Sequence, residues 1–181
     1  TTRPAWSSRS PIWPGVAVAV VLTGYFLYFF RDPERTAPAE ADAIVAGADG
    51  TVMKIMDVKE DKFLKTDCTR ISIFLSLFDV HVNRAPIGGV SKFLGYVPGK
   101  HFFTFQEKSS EFNQHNAILI EGDKTRCLVY QIVGPVARRV VYFLDETAAV
   151  SLHKGDRIGM MKFGSRLDMY FPKADIAIVT R

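Results

Sequence analysis

Four short blocks of this chain hold side chains able to do acid–base or nucleophilic work. Ala46-Gly47-Ala48-Asp49-Gly50-Thr51 sets a carboxylate in a tight turn between two apolar runs. Phe78-Asp79-Val80-His81-Val82-Asn83-Arg84-Ala85-Pro86 closes an alternating run, and strict alternation puts Asp79, His81 and Asn83 on one face. Gly134-Pro135-Val136-Ala137-Arg138-Arg139 brings a double arginine into another apolar run. Phe163-Gly164-Ser165-Arg166-Leu167-Asp168 places a hydroxyl directly after glycine, at the head of an alternating run that Pro172 stops. Each block alone has a plain structural reading: an Asp-Gly hairpin turn, a histidine at a strand end, an exposed basic pair, a bare Gly-Ser. A serine hydroxyl attacks only when a base activates it, so the blocks matter to chemistry only if the fold gathers them.

The elements that must do the gathering are strands. From Ile44 onward the apolar residues recur with period two. In the run 71–78, Ile71, Ile73, Leu75 and Leu77 face one way, and Ser72 and Ser76 share the other face with Phe74 and Phe78. Residues 117–120 and 126–133 flank Glu121-Gly122-Asp123-Lys124, a hairpin signal. Further strands are expected at 138–144, 167–171 and 175–180, and one short helix near 108–113. Turns fall at Ala48-Asp49-Gly50, Pro86-Ile87-Gly88-Gly89 and Pro98-Gly99. The expected fold is mainly β, a β-rich α+β domain of antiparallel sheets.

Ahead of that domain lies an apolar stretch. Residues 12–30 carry no charge, and these 19 residues would make a helix of about 28 Å, just enough for a hydrocarbon core of about 30 Å. Trp6 and Trp13 lie at one end and Tyr25 and Tyr28 toward the other, as interfacial anchoring favours. Arg3 and Arg9 precede the stretch, and Arg31 and Arg35 follow it, so charge does not fix orientation. The flank Arg31-Asp32-Pro33-Glu34-Arg35 lacks a small-residue cleavage site, which favours an uncleaved anchor over a signal peptide. The expected organisation is an anchor with its flank at 1–30, a linker at 31–43 and a catalytic β domain at 44–181.

Composition narrows the classes. Apolar residues make up 48% of 181, enough to fill a core, so disorder is excluded. The net charge of +4, from 23 basic and 19 acidic residues, suits an anionic membrane surface. No Lys/Arg cluster interleaves with aromatics, so nucleic acid is not an expected partner. Cys68 and Cys127 sit in apolar runs as expected buried thiols, too few for a disulfide framework or a zinc site.

In this order, and together with Phe29-Phe30-Arg31-Asp32-Pro33-Glu34-Arg35, the blocks resemble the short bacterial and archaeal type of phosphatidylserine decarboxylase. The resemblance runs from about Phe29 to Pro172 and rests on several motifs agreeing in order and spacing. It implies a proenzyme that cuts itself at Gly164–Ser165 into a β chain, residues 1–164, and an α chain from residue 165 onward. The Ser165 oxygen attacks the Gly164 carbonyl, the ester eliminates, and residue 165 becomes a pyruvoyl group with release of ammonia. That group would form a Schiff base with the amine of phosphatidylserine, release CO2 and yield phosphatidylethanolamine, with no metal and no PLP. By the same resemblance Asp49 and His81 assist Ser165 in a triad-like arrangement, and His81 supplies a proton in decarboxylation. Substrate contacts are expected from Arg138, Arg139 and Arg84, the first two suited to a lipid phosphate.

Some relatives carry His-x-x-His where this chain has His81-Val82-Asn83-Arg84, and there the second histidine is the one tied to self-cleavage. Here either His81 serves both steps or the cleavage base lies elsewhere; His101, His115 and His153 are the other histidines, with His115 the backup. The implied partners are the lipid, the bilayer and the α–β heterodimer, with further homodimerisation open. The implied location is the cytoplasmic face of the inner membrane. The phenylalanines of His101-Phe102-Phe103-Thr104-Phe105 either pack in the core or dip into the membrane interface. Two rival readings stand: a pyruvoyl decarboxylase of the same family acting on an archaeal-type ether lipid or a small amino acid, and a membrane-anchored β module that binds without chemistry.

Overall fold

The structure is a computed structural model that describes residues 12–106, 108–135, 139–163 and 165–178. It comprises two units, 1–31 and 32–181. The described part of the first is one helix, α1 (Ile12–Phe29), long and apolar enough by length and composition to cross a membrane. Its C-terminal turn stacks aromatics: the Phe29 and Phe30 ring centroids lie 5.1 Å apart, and the Arg31 guanidinium sits 3.9 Å from the Tyr28 ring.

The second unit is an antiparallel β domain. Its elements are β1 (Thr51–Glu60), β2 (Thr66–Leu75), β3 (Val82–Arg84), β4 (Gly89–Val97), α2 (Ser109–Phe112), β5 (His115–Glu121), β6 (Arg126–Val133), β7 (Arg139–Tyr142), β8 (Val150–Leu152), β9 (Arg157–Lys162) and β10 (Ser165–Pro172). Seven strands form one sheet in the order β1-β2-β10-β6-β5-β4-β8, and three form a second in the order β3-β9-β7. The mainly β, antiparallel expectation holds. The 121–124 hairpin forms between β5 and β6, with Glu121 opposite Arg126. The strand expected at 175–180 does not form over its described part. Pro172 ends β10, a 3-10 turn takes Lys173–Asp175, and 176–178 are irregular. Asp79 likewise lies off any strand: its carboxylate accepts the Ser76 N–H at 2.7 Å and closes a turn, so only β3 extends the alternation around His81.

Alternation sorts β10 into two faces. Leu167, Met169 and Phe171 point inward with Ile73, Leu75, Ile118 and Val129, and meet Ile158 and Met161 of the smaller sheet. Sixteen buried residues form this inter-sheet core. The opposite face of the large sheet carries Arg166, Asp168 and Tyr170 beside a smaller cluster around Leu128, Tyr130 and Ile132. Cys68 and Cys127 are buried free thiols; burial pushes the Cys68 thiol up to about 11 and Cys127 well above its ordinary value.

Residues 32–43 adopt no helix or strand, yet side chains of the β domain hold them. Arg157 pairs with Asp32 at 2.6 Å and Glu34 at 2.8 Å. Arg84 donates to the Pro33 carbonyl at 2.9 Å, and Lys124 reaches Asp42 at 2.5 Å. This segment is therefore a strap along the domain.

Candidate active site

Three of the four blocks meet at one end of the large sheet. Ser165 opens β10 between Leu75 of β2 and Val133 of β6, the last residues of those strands. Leu75 leads into the turn closed by Asp79, and His81 follows. The His81 carbonyl accepts the Met161 N–H at 3.1 Å, which ties it to β9 four residues before Ser165. The Gly47 carbonyl accepts the Arg84 N–H at 2.8 Å, so the Asp49 turn docks on the His81 block. Gly50, at φ +138°, presses against β2; a Cβ there would lie 2.2 Å from the Phe74 carbonyl oxygen. Only glycine allows that approach.

Ser165 is fully buried, and its Oγ has no hydrogen-bond partner among the described residues. A buried hydroxyl without a partner carries a desolvation cost and marks strain or chemistry. The backbone before it is also unusual: Phe163 sits at φ 66°, the left-handed region that a bulky residue rarely enters. His81 is fully buried, with Nδ1 2.9 Å from the Asp79 carbonyl oxygen. Asp49 is partly exposed, and its carboxylate pairs with Arg35 at 2.6 Å. Arg35, Asp49, Val82, Arg84 and Gly155 line a cavity of about 150 Å³ beside this group.

The arginines divide. Arg84 donates to the Gly155 carbonyl at 3.0 Å and to Pro33 and Asp32. Its charge thus clasps the strap onto the 153–156 turn. Arg139 is exposed and opens β7 opposite Lys162, close in sequence to Ser165. Arg138 and Gly164 lie outside the described residues. Of the other histidines, His115 is buried with Nδ1 2.7 Å from the Asn113 carbonyl, and desolvation holds its pKa below the ordinary value. His153 is exposed on its turn, and His101 meets Gln114 at 3.1 Å.

Two buried polar networks went unread in the sequence. Between the sheets, Gln131 Nε2 donates to Asn83 Oδ1 at 2.7 Å, and Asn116 donates to Gln131 at 3.3 Å. Gly159 makes room for this crossing; a Cβ there would come within 2.6 Å of Gln131 Nε2. On the outer face Arg166 meets Asp168 at 2.6 Å, with both side chains buried. Arg166 also donates to Ser72 at 2.8 Å, and Ser110 donates to Asp168 at 2.7 Å. The Arg-x-Asp spacing after Ser165 was a signal for this pair, because i and i+2 share a strand face. Among the described residues, no three His, Cys, Asp or Glu side chains gather in a way that could hold a metal ion.

The sequence pattern of one family, described as phosphatidylserine decarboxylase, matches residues 22–181. The chain belongs to this family. A phosphatidylserine decarboxylase proenzyme of Carboxydothermus hydrogenoformans is 40% identical over 169 residues, spanning 93% of this chain and 78% of the relative. Proenzymes of the same name from Chlorobium phaeobacteroides and Salinibacter ruber are each 44% identical. These alignments span 88% and 93% of this chain, and 73% of each relative. In this member of the decarboxylase family, Ser165 stands at the head of β10, with the Asp49 turn and the His81 block folded against the same end of the sheet.

Proposed function

We propose that this protein is a phosphatidylserine decarboxylase whose reactive carbonyl is made from Ser165. The observation that carries the reading is the Ser165 hydroxyl: buried, without a hydrogen-bond partner among the described residues, and two residues after the left-handed Phe163. A serine with those surroundings fits the precursor of a pyruvoyl group better than a structural serine, which would use its hydroxyl to satisfy a neighbour. When formed, the pyruvoyl group supplies an electron sink for loss of CO2 from an amino acid headgroup.

The remaining work falls to the chain's own residues. Cutting requires the Ser165 oxygen to attack the Gly164 carbonyl, with a base to take its proton. His81 is the proposed base and later the proton donor, with Asp49 as its charged support. The Asp79 carbonyl beside Nδ1 fixes the ring and favours a proton on that nitrogen, which leaves Nε2 as the working atom. The inter-sheet core around Leu75 and Val133 keeps water from the site. Arg139, exposed at the head of β7, is the described arginine proposed to meet a lipid phosphate, with Arg138 as its sequence neighbour. Arg84 acts instead by holding the strap.

The proposed substrate is a membrane lipid, and α1 keeps the enzyme where that lipid is. Two free thiols suit the reducing cytoplasmic face. The proposed mature form is a heterodimer of the two pieces of one chain. Intact mass spectrometry of the expressed protein tests the reading. The expected result is a piece ending at residue 164 and a second piece beginning at residue 165. The second should be lighter by one ammonia than a serine-terminated fragment. An uncut chain, or a fragment with an ordinary serine amine, overturns it.

A further inference from the structure

The end of the large sheet that carries Ser165 is also where most of the exposed aromatic side chains among the described residues of the β domain lie. The segment 100–114 leads into β5 at this end. Phe103, Phe105 and Phe112 are 54%, 58% and 53% exposed, and the Phe103 and Phe105 rings stack at 5.3 Å between centroids. Leu77 and Phe78, on the turn that follows Leu75, are exposed at the same end.

This exposure is built in rather than a product of a loose loop. Asn113 braces the segment from within: its Oδ1 accepts the Phe102 N–H at 2.8 Å, and its Nδ2 donates to the Phe102 and Val133 carbonyls at 2.7 and 2.8 Å. Ser109 Oγ donates to the Thr104 carbonyl at 3.2 Å. The segment is then fastened to the reactive strand itself. Ser110 donates to Asp168, and Arg166, the residue after Ser165, reaches Ser109 and the Gln106 carbonyl at 3.4 Å each. An aromatic surface is thus held at a fixed offset from the serine.

We propose that residues 102–106 and 108–112, with Leu77 and Phe78, form the face of the β domain that enters the headgroup region of a phospholipid bilayer and presents lipid to Ser165. The proposal rests on the reading of the substrate as a membrane lipid. The size of the patch favours lipid over protein. The four exposed phenylalanines and Leu77 offer roughly 500 Å² of apolar area, against about 800 Å² per partner in a stable protein interface. A bilayer accepts so small a patch because it needs no complementary shape. Over 100–114 the sequence carries two lysines and two glutamates, so no net charge draws it to the bilayer and apolar burial is the driving contribution. Lys108 lies over the Phe102 ring at 4.1 Å, its ammonium kept beside the aromatic surface as at a headgroup boundary.

Nitroxide labels on the full chain in phospholipid nanodiscs test the surface. Cys68 and Cys127 are buried, so a label goes to an introduced thiol. Phe103→Cys and Phe105→Cys should be more accessible to dissolved oxygen than to a water-soluble nickel chelate. Asp123→Cys, on the turn at the opposite end of β5, should show the reverse. Labels at 103 and 105 as water-exposed as the label at 123 overturn the proposal, and so does dipolar coupling between copies at 103, which would assign the patch to a second chain. As an independent arm, Phe103→Ser/Phe105→Ser should lower the ratio of CO2 release from bilayer phosphatidylserine to release from a monomeric short-chain phosphatidylserine by about tenfold or more. An unchanged ratio overturns the proposal. If the wild type releases CO2 from neither form, the substrate reading fails, and the label depths decide the docking face alone.

Discussion

The Asp49 carboxylate and the Arg35 guanidinium meet at 2.6 Å, across 14 residues of sequence. The pair joins the strap that follows α1 to the turn beside the reactive serine. It is half-exposed, and such pairs contribute little to stability. Its value is therefore in where it holds the carboxylate. Asp49→Asn should slow self-cleavage by about 100-fold or more, the range of a lost acid–base partner. Arg35→Ala should slow it by about tenfold at most, because Asp49 keeps its charge and loses only a tether. The time course of the two fragments on a gel separates the cases.

Ser165→Ala removes both the nucleophile and the precursor of the carbonyl. The expected product is a single uncut chain with no CO2 release from phosphatidylserine. His81→Ala should reduce decarboxylation in whatever fraction of the protein still cuts, by about 100-fold or more. Turnover per mole of cut enzyme is the quantity to compare, because it divides out the processing defect.

Much of this site was readable before any coordinates. The alternating run at 71–78 marks a strand as far as Leu75, and the apolar runs 117–120 and 126–133 mark the two arms of a hairpin, because their residues are buried in the core. The Asp49, His81 and Ser165 blocks could be named from residue type and order. Their meeting could not, because it depends on β10 inserting between β2 and β6, and such long-range pairing leaves no local signature. Arg84 shows the limit most clearly. Its place in the motif suggested substrate or a missing histidine, but its guanidinium is committed to Gly155, Pro33 and Asp32, partners 51 to 71 residues away in sequence. Over its described part, the strand expected at 175–180 does not form for a local reason: hydrophobic alternation continues past Pro172, but the chain turns there.

The buried Arg166–Asp168 pair makes a thermodynamic prediction. Removing one member of such a pair strands the other charge, at a cost of about 3–5 kcal/mol. Arg166→Met should therefore destabilise the domain by that order. Arg166→Met/Asp168→Asn should recover part of the loss, because no charge is left buried alone. Denaturant titration of an uncut Ser165→Ala background reads both values without interference from processing.

Acid stability should report on His115. Desolvation holds its pKa below the ordinary 6.5, against the opposing pull of the Asn113 carbonyl; Lys62 lowers it further and Asp168 raises it. The unfolded chain therefore takes the proton first as pH drops. The native state keeps this contribution above about pH 6.5 and loses it as pH falls from there through the lowered value. His115→Gln should flatten that part of the stability profile and leave the neutral-to-alkaline part parallel to wild type. Denaturant midpoints measured between about pH 5 and 8 test this.

Ser165 opens a strand that is paired along both edges, to β2 through Pro172 and to β6 through Tyr170. In the proposed mature form, cutting the bond before it would remove a covalent link but none of those pairings, and the severed segment would stay in place as a non-covalent subunit. The same arrangement makes activation a one-way event. An intact chain folds by a unimolecular route, whereas denatured halves must find each other in solution, at a rate set by their concentration. Heat or denaturant that unfolds the mature enzyme should thus inactivate it permanently at dilutions from which the uncut chain recovers.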